Sequence, residues 1–119
     1  MIQINYRDPR PIYEQVKASF RQLILSGVLR PEEKMPSVRE LASSLAINPN
    51  TIQRAYRELE QEGYICSVPG KGSFVSSGET ARRARTAELR EKLSDLVKEF
   101  DALGVGREDL VSMIKEEDV

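Results

Sequence analysis

Residues 36–63, PSVRELASSLAINPNTIQRAYRELEQEG, contain two helix starts in quick succession. Ser37-Val38-Arg39-Glu40 matches a capping box, in which the Ser37 hydroxyl accepts from the Glu40 backbone and the Glu40 side chain can reach back. Val38, Leu41, Ala42 and Leu45 then recur at the spacing of one helical face. Ala46-Ile47-Asn48 has room only for a tight turn. Asn48 is a favoured N-cap, and Pro49 suits the first helical position, where its missing N–H costs nothing. Ile52, Ala55, Tyr56 and Leu59 define the buried face of the next helix, about Pro49–Glu62, and Gly63 ends it. Tyr56 is assigned to the core. Helix, short turn, helix is the helix-turn-helix arrangement. The outer face of its second helix is polar, with Asn50, Thr51, Gln53, Arg54 and Arg57 free to meet a partner.

Upstream, Ile2, Ile4 and Tyr6 alternate with polar residues and predict a short strand. Pro11 suits a first helical turn, and Ile12, Val16, Phe20, Leu23 and Ile24 form one stripe. The spacing predicts a helix over residues 11–26 with Gly27 at its cap. Val28–Pro36, with two prolines among charges, reads as a connection. Downstream, Tyr64–Val68 and Ser73–Val75 are β-prone runs separated by Pro69-Gly70-Lys71-Gly72. They predict a β-hairpin, the wing of a winged helix. Its tip offers a cation, Lys71, between two glycines, Gly70 and Gly72, which suits close approach to a phosphate or a minor groove.

Ser76-Ser77-Gly78 reads as a hinge and divides the chain into a winged helix-turn-helix domain, residues 1–77, and a helical segment, residues 78–119. In the second part Leu89, Leu93, Leu96, Phe100 and Leu103 follow alternating four- and three-residue steps, the pattern of a helix–helix seam. Gly104 caps that helix. Glu108 and Asp109 suit the first turn of another, whose apolar face includes Leu110, Val111, Met113 and Ile114. A unit of about 40 residues cannot bury two such faces alone. The helices therefore either fold back on the first domain or pair with a second chain, and the clean seam after a hinge favours a homodimer. The fold class expected is mainly α with a small β-wing.

Composition excludes several chemistries. Among 119 residues there is no histidine and one cysteine, Cys66. Neither a Ser-His-Asp triad, a Cys-His dyad nor a Cys/His zinc site can be built. Cys66, in a β-rich run, is read as a small apolar filler. Gly70-Lys71-Gly72-Ser73 is not a phosphate loop, because no glycine stands five residues before the Gly-Lys pair. No apolar run approaches the ~20 residues of a membrane span, and the first residues lack a secretory h-region. A soluble, cytoplasmic protein with no cofactor, no membrane partner and no catalytic residues is expected. The net charge of −1 is unevenly spread: residues 1–76 carry 10 Lys/Arg against 8 Asp/Glu, and residues 77–119 carry 8 against 11. A basic face on the first part is compatible with that distribution.

Pro11-Ile12-Tyr13, Met35–Ala42, Asn48–Ile52, Ala55–Leu59 and Gly70–Val75 together resemble, in order, the winged-helix domain of the GntR family of bacterial transcription regulators. The short two-helix tail is similar to the YtrA subfamily, where it serves dimerisation. The resemblance implies a homodimer on double-stranded DNA, an operator with two-fold-related half-sites, and usually repression. It implies that Arg39 contacts DNA from the start of the first helix of the motif, that Asn50 and Thr51 open the recognition helix, and that Gly70 approaches the minor groove. Many members carry arginine where Pro49 and Gln53 stand here. Gln53 favours adenine or a phosphate, which gives Arg54 and Arg57 more weight.

The expected DNA-binding set is Lys34, Ser37, Arg39, Asn50, Thr51, Gln53, Arg54, Arg57, Gly70, Lys71 and Gly72. The expected dimerisation set is Leu89, Leu93, Leu96, Phe100, Leu103, Leu110 and Ile114. Blander readings stand beside these. Arg39 can pair with a nearby glutamate, Ser37 is fully explained as a cap, and Arg57 can pair with Glu60 or Gln61. Arg82, Arg83 and Arg85, at a helix start where cations oppose the macrodipole, either follow DNA phosphates or are solvated. A winged-helix adaptor that docks protein instead of DNA is the rival function. The sequence carries no signature of a small-molecule effector.

Overall fold

The computed structural model describes residues 2–117. The elements run α1 (Ile12–Leu25), α2 (Val38–Leu45), α3 (Pro49–Gln61), β1 (Ile65–Val68), β2 (Gly72–Val75), α4 (Gly78–Ala102) and α5 (Arg107–Glu116). The mainly helical class with a small antiparallel sheet is as the sequence predicts. No helix among the described residues is long and apolar enough to cross a membrane.

The chain divides into two units after Ala84. In the first, α1 supplies Val16, Phe20 and Ile24 to one core, α2 supplies Leu41 and Ala42, and α3 supplies Ile52, Ala55, Tyr56 and Leu59. Tyr64, Ile65 and Val75 close it from the hairpin side. The Phe20 and Tyr56 rings meet edge to face with centroids 5.7 Å apart, an arrangement favoured by their quadrupoles. The Tyr56 hydroxyl is not idle: it donates to the Pro36 carbonyl at 2.7 Å and so ties α3 to the chain entering α2. Burial, followed by the field of the Glu40 carboxylate, pushes the Tyr56 phenol well above its ordinary range.

Two expectations are corrected. Residues 2–5 form no strand. The Asn5 backbone is held instead by the buried Gln15, whose Oε1 accepts from Asn5 N–H at 2.9 Å and whose Nε2 donates to the Asn5 and Arg10 carbonyls at 3.0 and 3.1 Å. Ile2 and Ile4 pack on the core without a ladder. Val28–Pro36 is a connection, as expected, and it also bonds to the hairpin. Lys34 bridges Phe74, and the N–H groups of Glu32 and Met35 donate to Val75 and Ser73 of β2 at 2.8 Å each. Cys66 is exposed rather than a core filler. Ser77 caps the helix that follows: its Oγ accepts from Thr80 N–H at 3.2 Å. The expected boundary after residue 77 marks the start of α4, but Ala81 is buried in the first unit's core.

The second unit is spare. Phe100 accepts from Val105 N–H at 3.0 Å, and Gly104 takes φ +79°, ending α4 as its glycine predicts. None of α5 is buried.

Replacing Tyr56 by Phe keeps the ring and leaves the Pro36 carbonyl without this donor. The expected loss is about 1–2 kcal/mol of unfolding free energy, read from urea titrations. A midpoint equal to that of the unmodified chain would show that the hydroxyl contributes nothing.

Candidate nucleic-acid interface

The turn that sets α3 against α2 is built from local bonds. Ser37 Oγ accepts from Glu40 N–H at 3.0 Å and Asn48 Oδ1 from Asn50 N–H at 2.8 Å, as their cap positions predict. Between them Ala46 takes a left-handed φ of +56°, and Ile47 N–H returns to the Ala42 carbonyl at 2.9 Å. With Ile52, Ala55 and Leu59 buried, the opposite face of α3 must turn outward. Asn50, Gln53, Arg54 and Arg57 are exposed there, and Thr51 is half-buried.

Arg39 lies exposed at the start of α2. Neither Arg39 nor Arg57 makes a side-chain hydrogen bond or ion pair among the described residues. Glu60, offered by the sequence as a partner for Arg57, instead accepts from Ser67 N–H at 3.1 Å. Both guanidinium groups therefore face solvent with their donors uncommitted.

The wing turns at Pro69-Gly70. Lys71 N–H donates to the Val68 carbonyl at 2.9 Å, and Gly70 takes φ +75°. Proline followed by a glycine at positive φ is the composition of a type II turn. A side chain at Gly70 would meet open space, so the backbone conformation alone calls for glycine there. Gly72 is different: it takes φ +111°, and an added Cβ would stand 3.3 Å from Lys34 Cε. Lys34 thus lies across the base of the wing, which brings one more cation beside Lys71's hairpin.

Arg54 is engaged. Its Nε donates to Glu58 Oε2 at 3.2 Å, its Nη2 to Tyr13 Oη at 3.1 Å, and its Cζ sits 3.7 Å from the Tyr13 ring centroid. Glu58 in turn accepts from Lys17 Nζ at 3.0 Å, and Lys17 also reaches Glu62 at 3.2 Å. The hydrogen bond from Lys17 chiefly holds the Glu58 carboxyl below the usual range; burial opposes it and Arg54 adds to it. Burial alone would lower Lys17, but its bonds to Glu58 and Glu62 prevail and leave the ammonium raised. Sequence reading missed Tyr13, Lys17 and Glu58. Only the Arg54–Glu58 spacing of four gave a signal. Farther along, Arg83 pairs with Glu79 at 2.7 Å and Arg85 with Glu88 at 2.8 Å.

The expected seam of the second unit is largely on the surface. Leu89, Leu93, Leu96, Leu103 and Ile114 are exposed, Leu103 by 77%. Phe100 and Leu110 are half-buried. Leu93, Leu96, Val97, Phe100, Leu110 and Val111 line part of an apolar groove of about 470 Å³ between α4 and α5. Among the described residues no cluster suited to a metal ion occurs.

Comparison with known proteins agrees with this architecture. Residues 12–75 match the family described as bacterial regulatory proteins, gntR family. The chain is 41% identical over 118 residues to the HTH-type transcriptional repressor YtrA of Bacillus subtilis (strain 168), covering 98% of this chain and 91% of that one. A GntR family transcriptional regulator from Listeria monocytogenes shares the fold with a TM-score of 0.70 at 31% identity, over 93% of this chain and 98% of that chain. The AraR DNA-binding domain, solved in complex with operator ORE1, matches with a TM-score of 0.55 at 30% identity, over 64% of this chain and 93% of that chain.

Because Glu58 is lowered on folding, its ion pairs add stability above the unfolded glutamate value, and that stability is lost as pH falls through the folded one. Glu58→Gln should lose less stability than the unmodified chain between about pH 6 and about pH 3. Urea midpoints at stepped pH test this, and parallel acid limbs would refute it.

Proposed function

The chain belongs to the GntR family of bacterial regulatory proteins, and from that premise we propose that it is a homodimeric repressor that binds a palindromic operator. It is a transcription regulator with a winged-helix fold, not an enzyme. The observation that carries the finer reading is the outer face of α3. Asn50, Gln53 and Arg57 are exposed there, Arg39 is exposed on α2, and neither arginine has a side-chain partner among the described residues.

In this reading α3 enters the major groove, with Asn50, Thr51, Gln53 and Arg57 at its edge. Arg39 contacts a base or the backbone beside it, and Ser37 lies close enough in sequence to add a phosphate contact. Gly70, Lys71 and Gly72 carry the wing along the neighbouring backbone, with Lys34 at its base. Arg54 belongs to the same face but is already engaged by Tyr13 and Glu58. Residues 1–77 form the DNA-binding part and residues 78–119 the dimerisation segment. The apolar surface of the α4–α5 unit supports a second copy: Leu89, Leu93, Leu96, Leu103 and Ile114 are exposed, flanking Phe100 and Leu110. A pair of chains presents two α3 helices to half-sites one helical turn apart, about 34–36 Å. The protein acts in the cytoplasm, where its operator is.

Selection from a pool of random duplexes should enrich an inverted repeat. The affinity for the selected duplex should fall steeply with salt, as phosphate contacts require. Arg39→Ala should weaken binding by about 1–3 kcal/mol if the side chain reads a base. Leu93→Asp should shift the chain to a monomer in sedimentation and weaken operator binding with it. No enrichment from the pool would favour the protein-docking adaptor. A monomeric unmodified chain at micromolar concentration would remove the dimer.

A further inference from the structure

The two arginines of α3 are in opposite states. Arg57 has no side-chain partner among the described residues, whereas Arg54 is held on one face and one edge. The Tyr13 ring covers a face of its guanidinium at 3.7 Å. Nε and Nη2, the edge that would dock side-on to a guanine, are given to Glu58 and to the Tyr13 hydroxyl. The surroundings are also wrong for a phosphate. Glu58 and Glu62 face Arg54 and Lys17 along the seam, and Glu14 accepts from the Tyr13 hydroxyl at 3.2 Å.

The seam has a regular geometry. Tyr13 and Lys17 stand one turn apart on α1, and Arg54, Glu58 and Glu62 stand at four-residue steps along and just beyond α3. Their contacts join residues 41 and 45 positions apart in sequence. The core anchors, Ile52, Ala55, Tyr56 and Leu59, hold one side of α3, and this seam holds its flank. Together they leave the helix little freedom to turn about its own axis. Direct readout needs side chains held to about 0.5 Å and 10–20°.

Resting on the operator-binding reading above, we infer that Arg54 is a positioning residue: with Tyr13 and Glu58 it sets the rotation of α3 and so decides how Gln53 and Arg57 meet the bases. Its contribution is to selectivity rather than to stability. The Arg54 side chain is 57% exposed, and ion pairs at that exposure stabilise a fold only slightly.

The test uses the full chain, the duplex it enriches from a random pool, and a scrambled duplex of equal composition. The readout is the ratio of the two affinities, in which any general change of charge cancels. Arg54→Met and Glu58→Gln should each lower that ratio, on the order of tenfold for Arg54→Met. Tyr13→Phe, which keeps the ring and loses the hydroxyl, should lower it less. The salt slope on the scrambled duplex should stay unchanged for Arg54→Met. Three results overturn the inference. A salt slope smaller by about one makes Arg54 a phosphate contact. A ratio that rises in Glu58→Gln makes Arg54 a base reader restrained by Glu58. A ratio unchanged in all three variants, with or without a shifted urea midpoint, leaves Arg54 a structural ion pair. If the unmodified chain enriches no duplex, the operator reading itself fails and the inference falls with it; an intact operator with unchanged ratios sinks the inference alone.

Discussion

One face of α3 is sealed. Ile52, Ala55 and Leu59 have no exposed surface, and Tyr56 has almost none. A helix of 13 residues with one side so completely removed from water has no choice about its other side. The rest of the first unit is arranged around that fact. Helix α1 and the hairpin supply the apolar surfaces that seal it, and α2 fixes where it begins. Whatever α3 offers to a partner is the complement of what it buries.

The parts of this fold that were legible in the sequence are those decided over three or four residues. Ser37 and Asn48 cap the helices that follow them because a side chain and an N–H two or three positions on are close in any helix start. The apolar stripes of α1, α2 and α3 follow from the helical period. The Pro69-Gly70 turn follows from the two residue types with the most restricted and the most permissive backbones.

What the sequence concealed was decided between distant residues. The alternation of Ile2 and Ile4 looks like a strand, yet among the described residues it pairs with none, and one buried side chain, Gln15, takes both backbone bonds of Asn5. The pairing of residues 32–35 with β2 was hidden behind prolines and charges that signal a connection. Cys66 follows its strand's outward face, which residue type alone does not reveal. The grip of Tyr13 and Lys17 on α3 crosses more than 40 positions and has no local signature. In the candidate site, the outer face of α3 was therefore readable, but the distinction between its engaged arginine and its unengaged one was not. The total charge of −1 was equally uninformative, since it sums two parts of opposite balance.

The turn from Ala46 to Asn48 has a consequence for how such a chain can change. It joins two capped helices through a single left-handed alanine, with no slack on either side. Each residue advances a helix by about 100°. Inserting or deleting one residue in this turn would displace the cap bonds that fix where α3 begins, whereas one inside α3 would swing everything beyond it by that angle and carry charged letters toward the core. The chemistry written on the outer face of α3 is open to revision one letter at a time, while the spacing that delivers it is closed to drift.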